Sequence, residues 1–155
     1  MENTSKSSVQ QLPDARWMHI GIVVADWHDE ITSSLLKGCT SKLESLGVLN
    51  DNIHVSHVPG SYELPLGARY LLNDVDGVIC LGCVIKGDTD HNQYINQAVA
   101  NGLMDLNLKY EKPVIFGLLT TDTMEQAKER TGGNKGHKGE DAALAVVKMI
   151  VMASE

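Results

Sequence analysis

The stretch Lys86-Gly87-Asp88-Thr89-Asp90-His91 joins an apolar run to a segment with helical spacing, and it collects the parts of an anion site. Gly87 lets backbone approach a ligand, Thr89 offers a hydroxyl, and the start of the next helix supplies unpaired N–H groups. Lys86 adds a mobile positive charge, and His91 exchanges protons near neutral pH. The chemistry these types predict is a phosphate held beside a proton shuttle. Asp88 and Asp90 would repel that phosphate, so the reading requires their carboxylates to face away from it.

Other residues carry two readings each. Trp27 follows an apolar run outside helical register, where it suits either a lid over a planar ligand or core packing. His91 itself could simply cap a helix. Glu63 is either a first-turn acid favoured by the helix dipole or a partner for the N–H groups of a heterocycle. Arg130 ends a helix, where a cation is favourable, and its fork of donors also suits phosphate. Lys135 and Lys138 stand in a glycine-rich loop as solvated charge or as ligand contacts. Cys80-Leu81-Gly82-Cys83 spells C-x-x-C, but both cysteines lie inside an apolar run with no second pair. Buried small hydrophobes are therefore expected there rather than a redox or metal centre. His19, His54, His57 and His137 have weaker cases, and alternation along the second strand turns at least one of them to solvent.

The elements that must position these residues follow from periodicity. Residues 1–16 are polar and serine-rich, which predicts a flexible N-terminal arm, and residues 17–155 form a single domain. Apolar runs at 19–25, 53–58, 77–85 and 113–120 read as four strands. Between them, helical spacing covers a segment that Gly47 stops, one beginning near Leu64 with Pro65 in its first turn, and residues 91–109. Thr121-Asp122-Thr123 offers caps for a helix over 124–131 that Gly132-Gly133 ends, a loop spans 132–139, and a last helix covers 141–152. Strands alternating with helices imply an α/β fold, a four-stranded parallel sheet with helices on both faces. Ligands gather at the carboxyl ends of such strands. Trp27-His28, Ser61-Tyr62-Glu63 and Lys86–His91 all fall there.

Composition narrows the function classes. A net charge of −7 argues against a nucleic-acid or anionic-membrane surface, so positive charge for a phosphate must be local. No apolar run approaches the length of a membrane span, and the N-terminus lacks a signal pattern. The odd number of cysteines (Cys39, Cys80, Cys83) gives no disulfide framework and suits a reducing cytoplasm.

With these residues in view, the sequence resembles the 6,7-dimethyl-8-ribityllumazine synthase family of riboflavin biosynthesis. The motifs are Val58-Pro59-Gly60-Ser61-Tyr62-Glu63-Leu64-Pro65, then Leu81-Gly82-Cys83-Val84-Ile85-Lys86-Gly87-Asp88-Thr89-Asp90-His91. Pro113–Thr120, Glu125-Gln126-Ala127 and Arg130 follow in order. Such an ordered set is far more specific than one glycine loop. The likeness runs from residue 19 to about residue 152 and implies a three-layer, flavodoxin-like domain.

The resemblance also implies a transferase. It would condense 5-amino-6-(D-ribitylamino)uracil with 3,4-dihydroxy-2-butanone 4-phosphate and release phosphate and water, with no metal or organic cofactor. Trp27 would stack on the pyrimidine. Ser61, Tyr62 and Glu63 would bind the ribityl chain and neighbouring backbone, and Val84 and Ile85 would hold the pyrimidine edge through main-chain groups. Gly87, Asp88 and Thr89 would contribute to the phosphate site and His91 would be the acid/base. Phe116, Arg130 and Lys138 would come from the adjacent subunit, with Arg130 on the phosphate. The lysine loop reads two ways: Gly133-Asn134-Lys135-Gly136 matches the family motif literally, whereas spacing from Arg130 favours Gly136-His137-Lys138-Gly139 and so Lys138.

His28 departs from the asparagine usual beside the stacking aromatic, and Asn92 from the aromatic that commonly follows the histidine. The family forms pentamers, and a short loop after Arg130 points to a shell of sixty subunits, with riboflavin synthase as a further partner. Two other readings compete: a flavin- or lumazine-binding module without catalysis, and a container protein whose shell has outlived its chemistry. His91 together with Arg130 favours chemistry, because simple stacking needs neither.

Overall fold

The computed structural model describes residues 14–155. Four parallel strands form one sheet in the order β2-β1-β3-β4: β1 Ile20–Ala25, β2 Ile53–Val58, β3 Gly77–Ile85 and β4 Val114–Thr121. The two central strands are the most apolar, and every residue of β1 is buried. In β3 only Ile85, the last residue, is not fully covered. That is the pattern of a strand covered on both faces. The edge strand β2 is half-exposed, and both of its histidines, His54 and His57, meet solvent.

Helices α1 (Asp29–Ser45) and α5 (Lys138–Ser154) cover one face, where Ile20, Ile22, Leu35, Leu43, Leu81 and Val146 share a core. Helices α2 (Leu64–Leu71) and α3 (His91–Tyr110) cover the other, around Val23, Leu64, Ala68, Cys80 and Leu103. The expected α/β architecture, a parallel sheet between two helical layers, is the observed one. Cys39, Cys80 and Cys83 are buried free thiols, as the apolar setting of the C-x-x-C run implies.

The segment after β4 differs from expectation. Helix α4 runs only from Met124 to Glu129, with the Thr123 hydroxyl accepting from the Gln126 amide at 3.2 Å. The predicted loop over 132–139 is a small antiparallel hairpin, β5 Thr131–Gly133 and β6 Gly136–His137, and α5 begins at Lys138 rather than at residue 141. The reason is local pairing. The Lys135 amide donates to the Glu129 carbonyl and the Lys138 amide to the Arg130 carbonyl, both at 2.8 Å, so the chain folds back onto the end of α4.

Most of the arm expected over residues 1–16 lies outside the described residues. Within its last part Ala15 is buried against the core. Asn52 donates through its side-chain amide to the Arg16 carbonyl at 3.2 Å.

Candidate functional site

A cleft of about 680 Å³ opens at the carboxyl edge of the sheet. Three connections build it. The first follows β1: the Asp26 amide donates to the Val58 carbonyl at 2.8 Å and the Trp27 amide to the Pro59 carbonyl at 3.2 Å. The chain thus stays paired with β2 beyond the end of the strand. His28 then turns in the left-handed region (φ 60°, ψ 52°) to start α1. That conformation is uncommon outside glycine, and histidine is one of the few other types enriched in it. Trp27 is left 70% exposed on the cleft rim, edge-on to His28 with ring centroids 6.3 Å apart.

The second connection is a single tight turn, Ser61–Glu63, between β2 and α2. The Glu63 carboxylate reaches back to accept from the Gly60 amide at 3.1 Å, while the Glu63 amide donates to the Gly60 carbonyl at 3.2 Å. This reciprocal pairing fixes the turn. Glu63 therefore has a structural use besides any contact with a heterocycle, and the bond occupies Oε2 alone. Ser61 is buried against β3, where a Cβ on Gly82 would stand 2.6 Å from its hydroxyl. Glycine at position 82 is thus what admits the turn to the sheet.

The third connection carries the anion motif from β3 into α3. Val84, Ile85, Gly87, Thr89 and His91 line the cleft, and a Cβ at Gly87 would enter open space. The Asp90 side chain makes no capping bond to α3, and the Thr89 hydroxyl accepts from the His91 amide at 3.4 Å, a long contact. The N-terminal end of α3, where an anion is favoured, adjoins the cleft without a cap from Asp90. His91 is exposed as the first residue of α3, free to meet a ligand. Asp88 and Asp90 are exposed and lie outside the cleft lining, so Asp88 is not among the predicted phosphate-site residues that line the cleft.

Of the residues predicted from sequence, the cleft brings together Trp27, Ser61, Tyr62, Glu63, Val84, Ile85, Gly87, Thr89 and His91. Phe116, Arg130 and Lys138 lie elsewhere on the same chain. Phe116 is exposed on edge strand β4, paired with Cys80 four positions before Val84. That places it roughly 13 Å along the strand from the cleft wall. Arg130 ends α4, its Nη1 donating to the Gln126 carbonyl at 2.8 Å and standing 3.9 Å from a Glu129 carboxylate oxygen. Lys138 is bonded to it through the main chain, whereas Lys135 sits near the hairpin tip.

Sequence reasoning missed Tyr94, Ile95 and Cys83 as cleft residues. Tyr94 stands three positions after His91, one helical turn away, and that spacing was the available signal. Cys83 was legible only as core. Burial pushes its thiol up to about 11, so it meets the cleft as a neutral group.

A parallel α/β sheet with a cleft across its carboxyl edge, an aromatic rim and an amide-rich helix start defines a binder of small phosphorylated or heterocyclic molecules. The comparisons narrow that class. The 6,7-dimethyl-8-ribityllumazine synthase family matches residues 17–154. A 6,7-dimethyl-8-ribityllumazine synthase of Parabacteroides distasonis is 49% identical over 96% of this chain and 94% of its own length. Those of Cytophaga hutchinsonii and Porphyromonas gingivalis are 48% and 47% identical, covering 90% and 95% of this chain and 89% and 92% of their own lengths. The chain belongs to the 6,7-dimethyl-8-ribityllumazine synthase family, transferases of riboflavin biosynthesis.

Proposed function

We propose that this cleft condenses 5-amino-6-(D-ribitylamino)uracil with 3,4-dihydroxy-2-butanone 4-phosphate, with its lining residues dividing the work. Amine attack on the ketone, loss of phosphate and ring closure all need proton transfers, and none needs a hydride carrier. The observation that carries this reading is His91 at the start of α3, which Asp90 does not cap, in one cleft with Gly87, Thr89 and Trp27. An acid/base beside an anion-favouring helix start suits an elimination whose leaving group is phosphate. Trp27 stacks on the pyrimidine. Ser61, Tyr62 and Glu63 hold the ribityl chain and nearby backbone, and the main chain of Val84 and Ile85 reads the pyrimidine edge. Gly87, Asp88 and Thr89 contribute main-chain or hydroxyl donors to the phosphate. Holding two reactive substrates together supplies much of the acceleration, so His91→Ala slows turnover without abolishing it.

Phe116, Arg130 and Lys138 act in the cleft of an adjacent subunit, Arg130 on the phosphate. That none of the three lines the cleft of its own chain supports this reading, as does the main-chain bond that keeps Arg130 and Lys138 at one end of the hairpin. The assembly is a pentamer, and the short connection after Arg130 favours a shell of sixty subunits able to take riboflavin synthase as cargo. Three buried free thiols suit a cytoplasmic setting. Among the described residues, no helix is long and apolar enough to cross a membrane.

The test is to mix purified protein with the two substrates and follow lumazine fluorescence. The expected result is a rate that saturates in both substrates and falls in Arg130→Ala. No rate above the uncatalysed background would leave a lumazine-binding protein as the better account.

A further inference from the structure

We propose that His57 and Asp26 form a clasp that positions Trp27 over the cleft, acting as positioning residues for pyrimidine binding. This rests on the reading of Trp27 as the stacking residue. The His57 Nδ1 lies 3.1 Å from the Asp26 carboxylate oxygen, and an ionised carboxylate only accepts, so this nitrogen donates. The two residues are far apart in sequence. His57 stands on β2 opposite Val24, and Asp26 is the first residue beyond β1, directly before Trp27.

The segment that bears Trp27 needs such a restraint. Its main chain is tied at Asp26 and Trp27 by two hydrogen bonds, to the carbonyls of Val58 in β2 and of Pro59 just beyond it, and it then enters the left-handed turn at His28. No side chain caps α1 at His28. The indole is 70% exposed and makes an edge contact only with the ring of His28, its neighbour in sequence. The bond from Asp26 to His57 is thus the side-chain tie that joins this short segment to the sheet. It sits on the rim, with 56% and 63% of the two side chains exposed, so it restrains the segment without contributing to the core. A clasp of this kind changes where the ring waits for its ligand rather than whether the chain folds.

The experiment compares wild type with His57→Ala, Asp26→Ala, the double variant, His57→Asn and Trp27→Ala in steady-state kinetics. Asparagine places an N–H close to where Nδ1 stood. Each single alanine at the clasp is expected to raise KM for the diaminouracil about two- to fivefold, the range of an exposed polar pair of side chains. The value of kcat and KM for the butanone phosphate should be unchanged. The double variant should be no worse than either single one, and His57→Asn should restore KM. Trp27→Ala should raise the same KM by about tenfold, as loss of one aromatic stack does. An unchanged KM in His57→Ala with a raised KM in Trp27→Ala would overturn the clasp and leave the stacking role intact. Unchanged values in both would remove the stacking role itself, and the clasp with it. Additive losses in the double variant would show two independent residues, also against the clasp.

Discussion

Cys83 belongs to the cleft wall and to the core at once, and its chemistry follows from the second. Burial pushes its thiol up to about 11 and that of Cys39 to about 12, and raises that of fully buried Cys80 further. In the unfolded chain these thiols return to ordinary values near 9.0. Between pH 9 and pH 11 the unfolded state then holds fewer protons than the folded state. Stability is complete below that window and falls as pH rises through it, by about 1.4 kcal/mol per pH unit for each such thiol. Urea unfolding at several pH values should show this loss, with a shallower slope in Cys80→Ala than in wild type. Equal slopes would assign the alkaline loss to other groups. The buried state of the pair was legible because both cysteines interrupt an apolar run without breaking it. Tyr94 was not singled out, since a tyrosine on a helix names no face until the helix is docked.

At the scale of elements, four strands and the long helices were legible because their apolar residues repeat with the period of the element. The hairpin over Thr131–His137 was not, since its strands are two and three residues long and rich in glycine. Its formation depends on carbonyls left free at the end of α4, with Gly132 and Gly136 at positive φ making the turns. His137 was also missed as a structural residue. Its Nδ1 accepts from the amides of Gly139 at 3.1 Å and Glu140 at 3.3 Å, so it caps α5, and that nitrogen carries no proton. The ring lies against α1 at Gly38, where a Cβ would strike it. Replacing His137 by alanine should cost about 1 kcal/mol, a typical cap, while His137→Asn should retain most of it. Urea unfolding of the two variants measures the difference. Equal losses would show that ring packing outweighs the cap.

For the whole molecule, a net charge of −7 means that positive charge for a phosphate must be local, and a main-chain hydrogen bond holds the cationic residues Arg130 and Lys138 together. Those two lie off the cleft of their own chain, which gives the proposed assembly a sharp consequence. A His91→Ala protein keeps its arginine and an Arg130→Ala protein keeps its histidine. Unfolding and refolding the two together should create mixed rings in which about one cleft in four has both groups intact, if neighbours assort at random. Activity should then exceed that of either variant alone. No gain on mixing, with mixed assemblies confirmed by native mass spectrometry, would place Arg130 in the service of its own chain. The proposed division between subunits rests on the family resemblance, since periodicity and spacing describe one chain at a time.

The start of α3, which Asp90 does not cap, has a further consequence. In the proposed reaction phosphate leaves beside a helix end without an Asp90 cap, a place that favours an anion. Accumulating phosphate should slow the enzyme, competing with the butanone phosphate and leaving KM for the pyrimidine untouched. Initial rates taken in phosphate and in Tris at matched ionic strength should differ accordingly. The rate of synthesis would then follow how quickly the surroundings clear inorganic phosphate, as well as how much substrate they provide.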